Sequence, residues 1–154
     1  MESLLAICLA KNLRITAAES CTGGMVCAAL TDLAGSSAIF ERGFVTYANA
    51  AKSDMLGVST QILTEFGAVS QETAAQMALG AKSAAKADIA VAISGIAGPG
   101  GSDHKPEGRV CFAIADATGC RATTIEFGAM GRANVRQAAR NHALDLLLGA
   151  ATRA

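Results

Sequence analysis

Strands alternating with helices, with one hairpin near the C-terminal end, predict an α/β domain. The expected form is a three-layer α/β/α sandwich on a mixed, mostly parallel sheet of about five strands. Three stretches carry this reading. "DIAVAIS" (88–94) is a continuous apolar run, as expected of a central strand covered on both faces. "AVSQETAAQMALGAKSAAKA" (68–87) has helical spacing, with Ser70 at the N-cap, Glu72 in the first turn, and Lys82 and Lys86 toward the end. "RVCFAIAD" and "CRATTIEFG" flank the turn "ATG" as an antiparallel hairpin.

The other elements follow in order. Residues 2–11 read as a helix with Leu4, Leu5, Cys8 and Leu9 on one face. "RITAAES" is a strand stopped by the turn "SCTGG", and a helix over about 23–33 carries Met25, Val26, Ala29, Leu30 and Leu33. "SAIFERGFVTYA" (37–48) reads as one strand with a bend at Gly43. Asn49 is placed to cap a short helix over 50–56, and a second short helix covers 60–66. A glycine-rich loop, "GIAGPGGSDHKPEG" (95–108), precedes the hairpin, and a last helix spans about 131–148. No repeat or linker divides the chain, so residues 1–154 are read as one domain.

Composition narrows the function. Hydrophobic residues make up 51% and charged residues 17%, which argues against disorder. Aromatic residues are only 4%, without tryptophan, so the core must be built from Ala, Val, Ile and Leu. Thirteen basic residues balance thirteen acidic ones, so net charge offers no basic surface for nucleic acid, though it leaves room for a local basic patch, and the few aromatics argue against a base-stacking platform. The N-terminal "MESLLAICLAKNLR" is neither a signal peptide nor a membrane span. Five cysteines form no CxxC pair and there are only two histidines, so no metal site is expected, and reduced thiols fit a cytoplasmic protein.

Four stretches bear on chemistry. In "AAESCTGGM" (17–25), Ser20, Cys21 and Thr22 precede Gly23 and Gly24 at a strand-to-helix turn. Free amides at a helix start can hold a phosphate or an oxyanion, with Ser20 or Cys21 as nucleophile. A thiol there would have a lowered pKa. The simpler reading is that Ser20 or Thr22 caps the helix. No P-loop or G-x-S-x-G elbow is present. In "YANAAK", Lys52 at the third helical position would be biased toward its neutral form, and so could take a proton from a serine. Tyr47, the only tyrosine, could relay it; an exposed lysine and a half-buried tyrosine are the plainer alternative. "SGIAGPGG" (94–101) allows close backbone approach to a ligand, or is simply a long loop. Arg132, Arg136 and Arg140 recur every four residues on the last helix, either as a solvated face or as anion ligands near its start. His142 reads as packed, and His104 as uninformative.

Together, "TAAESCTGG", "AGSSAIFERGFVTYANAAK", "GAVSQETA", "SGIAGPGG" with "KPEG", and "GRANVRQAA" resemble the CinA C-terminal domain family from about Leu4 to Leu148. The resemblance implies a stand-alone nicotinamide-nucleotide amidase, which hydrolyses nicotinamide mononucleotide to nicotinate mononucleotide and ammonia without a cofactor. It places the nucleophile on Ser20, the base on Lys52 and a catalytic tyrosine on Tyr47. Substrate contacts fall on Thr22, Ser94, Gly95 and Arg132, then Arg136, and the amides of Cys21 to Gly24 would hold the oxyanion. Gly131, Ala50, Glu107 and Arg109 depart from the family pattern. The alternative is a noncatalytic nucleotide-binding or regulatory module related to competence and DNA-damage-inducible proteins. The expected partner is a small nucleotide, with no nucleic acid and no membrane, and the alanine-rich helices allow a homodimer.

Overall fold

In "IAVAIS" and "VCFAIA", large and small apolar residues alternate, and a strand sends alternate side chains to opposite faces. In the computed structural model, which describes residues 1–102 and 104–154, this alternation makes two different cores. Asp103, within the predicted 95–108 loop, lies outside the described residues.

The elements are α1 (Glu2–Lys11), β1 (Ile15–Glu19), α2 (Met25–Thr31), a 3-10 turn (Ser36–Ala38), β2 (Phe44–Val45), α3 (Asn49–Leu56), α4 (Thr60–Glu65), α5 (Gln71–Ala85), β3 (Ile89–Gly95), β4 (Arg109–Asp116), β5 (Gly119–Glu126) and α6 (Arg132–Arg153). The sheet order is β2-β1-β3-β4-β5. The β1 pairings with β2 and β3 are parallel, and those of β4 with β3 and β5 are antiparallel. The five-stranded mixed sheet and its helices on both faces match the predicted class.

One face presents Ile15, Ile89, Val91, Ile93, Val110, Phe112 and Ile114 to α1, α2 and α6. The opposite face presents Ala18, Ala90, Ala92, Ala113 and Ala115 to Ala74, Met77, Ala78 and Ala81 of α5. Small side chains on both surfaces let α5 lie close to the sheet. Ser70 caps α5 by accepting the Thr73 amide at 3.1 Å, as its position in the sequence predicts. His142 is packed against Phe112, with ring centroids 4.6 Å apart.

Three boundaries differ from expectation. The strand predicted over 37–48 is broken: Ser36–Ala38 is a 3-10 turn, Phe40 makes an isolated bridge to Ile15, and only Phe44–Val45 pair with β1. The β propensity of the run is overridden because a short edge strand has one partner, and its pairing ends where that partner turns away. Asn49 is the first residue of α3 rather than its cap; Ala48 holds that place without a side-chain acceptor. Lys52 therefore stands at the fourth helical position. α6 runs to Arg153, beyond the predicted 148.

Helix α3, which carries Lys52, is held close to α5 at Gly80. A Cβ there would lie 2.0 Å from the Leu56 carbonyl oxygen. Gly80→Ala is therefore expected to lose about 1–3 kcal/mol in urea unfolding. An unchanged midpoint would mean that α3 can shift freely.

Candidate functional site

Parallel pairing of β1 with β3 brings Glu19 beside Ile93, and Ser20 follows at the strand end, its amide donating to the Ile93 carbonyl at 2.9 Å. β2 on the other side ends at Val45, and Thr46 donates its amide to the Glu19 carbonyl at 2.8 Å. Three strand ends thus converge on one edge of the sheet, as ligand sites in such sheets do.

Lys52 reaches this point from α3. It is only 1% exposed, and its Nζ contacts Ser20 Oγ at 3.1 Å, the Thr46 carbonyl at 2.9 Å and the Tyr47 carbonyl at 3.2 Å. None of the ion pairs among the described residues includes it. Burial holds the Lys52 amine below its ordinary value of 10.5, with a small opposing effect of the neighbouring Cys21. The sequence-based direction is therefore right, but burial is the leading cause. A neutral amine keeps two N–H donors for the two carbonyls and turns its lone pair to the Ser20 hydroxyl, which then donates.

The turn after Ser20 is organised by a residue that sequence reasoning passed over. Glu19 is fully buried, and its carboxylate accepts the amides of Gly24 (3.0 Å), Val26 (3.1 Å) and Cys27 (2.8 Å). The expected caps, Ser20 and Thr22, do not cap α2. Gly24 holds the N-cap position at φ +99°, and Gly23 has φ +59°, both suited to glycine. A helix start without a polar N-cap side chain must find its acceptor elsewhere, and the acid ending the preceding strand was the available signal.

The amides of Gly23 and Gly24 are consequently occupied, by the Ser20 carbonyl at 3.1 Å and by Glu19. Those of Cys21 and Thr22 bond to no other residue among those described. Cys21 is buried, and burial pushes its thiol up to about 11. Burial thus outweighs the lowering expected at a helix start, and the nearby Glu19 charge adds to the rise.

Ser20, Cys21, Tyr47, Lys52, Ala68, Val69, Ser94, Gly95, Ala97 and Arg132 line one cleft of ≈ 210 Å³. Ser94 donates to the Ala68 carbonyl at 2.6 Å. Arg132 spans the rim, donating to the Gly98 carbonyl at 2.9 Å and to the Tyr47 hydroxyl at 3.0 Å. Thr22 is buried and its hydroxyl has no partner among the described residues. Neither Thr22 nor Arg136 lines the cleft; Arg136 donates to the carbonyls of Cys21 and Thr22, at 3.0 Å each. Among the described residues, no group of His, Cys, Asp and Glu could hold a metal ion, and no helix is long and apolar enough to cross a membrane.

A buried lysine thus contacts a serine at the strand ends of an α/β sandwich. The CinA C-terminal domain model matches residues 1–151, and the chain belongs to that family. It is 53% identical over 139 residues to nicotinamide-nucleotide amidohydrolase PncC of Escherichia coli K12, covering 90% of this chain and 84% of that protein. A CinA-like protein of Geobacter sulfurreducens is 51% identical over 138 residues, 89% of this chain but 33% of that longer protein. The crystal structure of competence/damage inducible protein CihA from Agrobacterium tumefaciens superposes with a TM-score of 0.93 at 47% identity, covering 96% of this chain and 91% of that one.

With its thiol raised and buried, Cys21 is expected to stay unmodified when native protein meets iodoacetamide near pH 8, and to react fully in urea. Peptide mass spectrometry reads both states. Rapid native labelling of Cys21 would contradict the burial described.

Proposed function

We propose that this chain is a nicotinamide-nucleotide amidohydrolase that uses Ser20 as nucleophile and Lys52 as base. The observation that carries the reading is the 3.1 Å contact between Ser20 Oγ and a buried Lys52 that has no acidic partner among the described residues. The naming of the 53% identical relative supplies the substrate.

Neutral Lys52 takes the Ser20 proton as Oγ attacks the carboxamide carbon of nicotinamide mononucleotide. The carbonyl oxygen becomes an oxyanion, held by the amide of Cys21, which lines the cleft. Lys52, now protonated, returns the proton to the departing nitrogen, and ammonia leaves behind an acyl-enzyme. The Tyr47 hydroxyl accepts from Arg132 and keeps its own O–H as a donor toward the cleft, where it assists this step. Water, deprotonated by Lys52, then attacks the ester carbon and releases nicotinate mononucleotide. Ser94 and Gly95 contact the carboxamide and ring, while Arg132 and the glycine-rich loop take the phosphate. Cys21 lines the cleft as a neutral thiol.

Ammonia release should be seen with nicotinamide mononucleotide and be much weaker with free nicotinamide or the dinucleotide. Ligand binding without release from any of them would favour the noncatalytic module. Ser20→Ala is expected to lose about 10³-fold or more in kcat, whereas Cys21→Ser keeps most of it. The reverse pattern would assign the reaction to the thiol.

A base that works only when neutral imposes a sign on the pH profile. Because the Lys52 pKa is lowered, the active form appears at a lower pH than for an ordinary lysine and is lost as pH falls through that value. The logarithm of kcat/KM should rise with unit slope to a plateau, with its midpoint below 10.5. Tyr47→Phe should leave that limb in place. A flat profile would remove Lys52 from the role.

A further inference from the structure

Two arginines one helical turn apart on α6 point to different tasks. Arg132 lines the cleft; Arg136 does not, and its guanidinium holds the carbonyls of Cys21 (Nε, 3.0 Å) and Thr22 (Nη2, 3.0 Å) from behind the turn. The peptide bonds of this turn are trans, since the only cis bond described joins Gly98 and Pro99. In a trans peptide the C=O and the N–H that share a plane point in opposite directions. Holding the Cys21 carbonyl therefore directs the Thr22 N–H away from Arg136. The Ser20 carbonyl is held in turn by the Gly23 amide at 3.1 Å, which sets the Cys21 N–H by the same rule. Glu19 fixes the far side of the turn through Gly24, Val26 and Cys27. An acid thus binds the amides after the turn and a base the carbonyls within it, and the Cys21 and Thr22 amides are the ones left without a partner in another residue.

We propose that Arg136 is a positioning residue for the reaction rather than a ligand of the substrate phosphate. Its grip on the Thr22 carbonyl sets the plane of the Gly23 amide, which holds the Ser20 carbonyl and so fixes the N–H of cleft-lining Cys21, the amide that receives the oxyanion. This rests on the amidohydrolase reading above. A planar two-pronged donor is required, because an ammonium cannot span both carbonyls in one plane.

Arg136→Lys tests it. Its charge would preserve most of the attraction to a phosphate, but not the bidentate grip. The expected result is a fall of about 10- to 100-fold in kcat for nicotinamide mononucleotide, with KM changed by less than about twofold. In Arg136→Ala, millimolar ethylguanidinium should restore part of the lost kcat. A raised KM with kcat unchanged would overturn the proposal and make Arg136 a substrate ligand. If the wild-type chain releases no ammonia, the functional reading fails by itself. The clamp is then judged from amide ¹H–¹⁵N spectra, in which the Cys21 and Thr22 signals must move in Arg136→Lys. Unmoved signals would overturn it, whatever the activity.

Discussion

A primary amine buried from water, with no acidic side chain paired to it among the described residues, is the constraint around which this molecule is arranged. Burying Lys52 as an ammonium would forfeit hydration that two backbone carbonyls and a hydroxyl do not replace in full, so its balance shifts toward the neutral form relative to an exposed lysine. Everything that encloses it must then be rigid. The Thr46 and Tyr47 carbonyls come from the end of β2, which is tied to β1 by the Thr46 amide on the Glu19 carbonyl. The amine comes from α3, which Gly80 allows to press on α5. The end of β1 therefore leads directly into Ser20 and ties down the stretch whose carbonyls contact Lys52.

The turn after Ser20 shows how a helix start can be closed and still leave donors for chemistry. α2 is seven residues long, and its first amides are spent on Glu19. A carboxylate buried this deeply needs such partners, since an unpaired one would cost several kcal/mol. The carboxylate takes the amides of Gly24, Val26 and Cys27, while those of Cys21 and Thr22 bond to no other residue among those described, so the helix terminus acts as an internal anion site for the protein's own acid.

The rim is built from different material. Arg132 joins the Tyr47 hydroxyl to the Gly98 carbonyl, and Glu107 joins the Gly100 amide at 2.6 Å to the Gly131 amide at 3.1 Å. These contacts are exposed, so each contributes little to stability. They link the glycine-rich loop to the start of α6 and to the end of β2. A nucleotide entering the cleft would exchange contacts at this rim, while the serine and lysine beneath it remain unmoved. Glu107, one of the departures from the family pattern, lies within this linkage rather than at the serine.

Much of this was legible in the residues alone. The continuous apolar run "DIAVAIS" named a central strand, the turn "ATG" named the hairpin, and Ser70 with Glu72 marked the start of α5, because these signals are local. Ser20, Lys52, Tyr47, Ser94, Gly95 and Arg132 were each singled out, and all of them line one cleft. What they could not reveal was anything that depends on which backbone groups remain unpaired. Glu19 read only as part of the strand "RITAAES", Arg136 as either a solvated residue or an anion ligand, and Cys21 as the rival nucleophile to Ser20 with a lowered pKa. Their surroundings are assembled from β1, α2 and α6, with partners up to 115 residues apart. Spacing along the chain determined which side chains were available for chemistry. Only the folded arrangement decided which amides stayed free, which charge was sealed from water, and so which of those side chains could act.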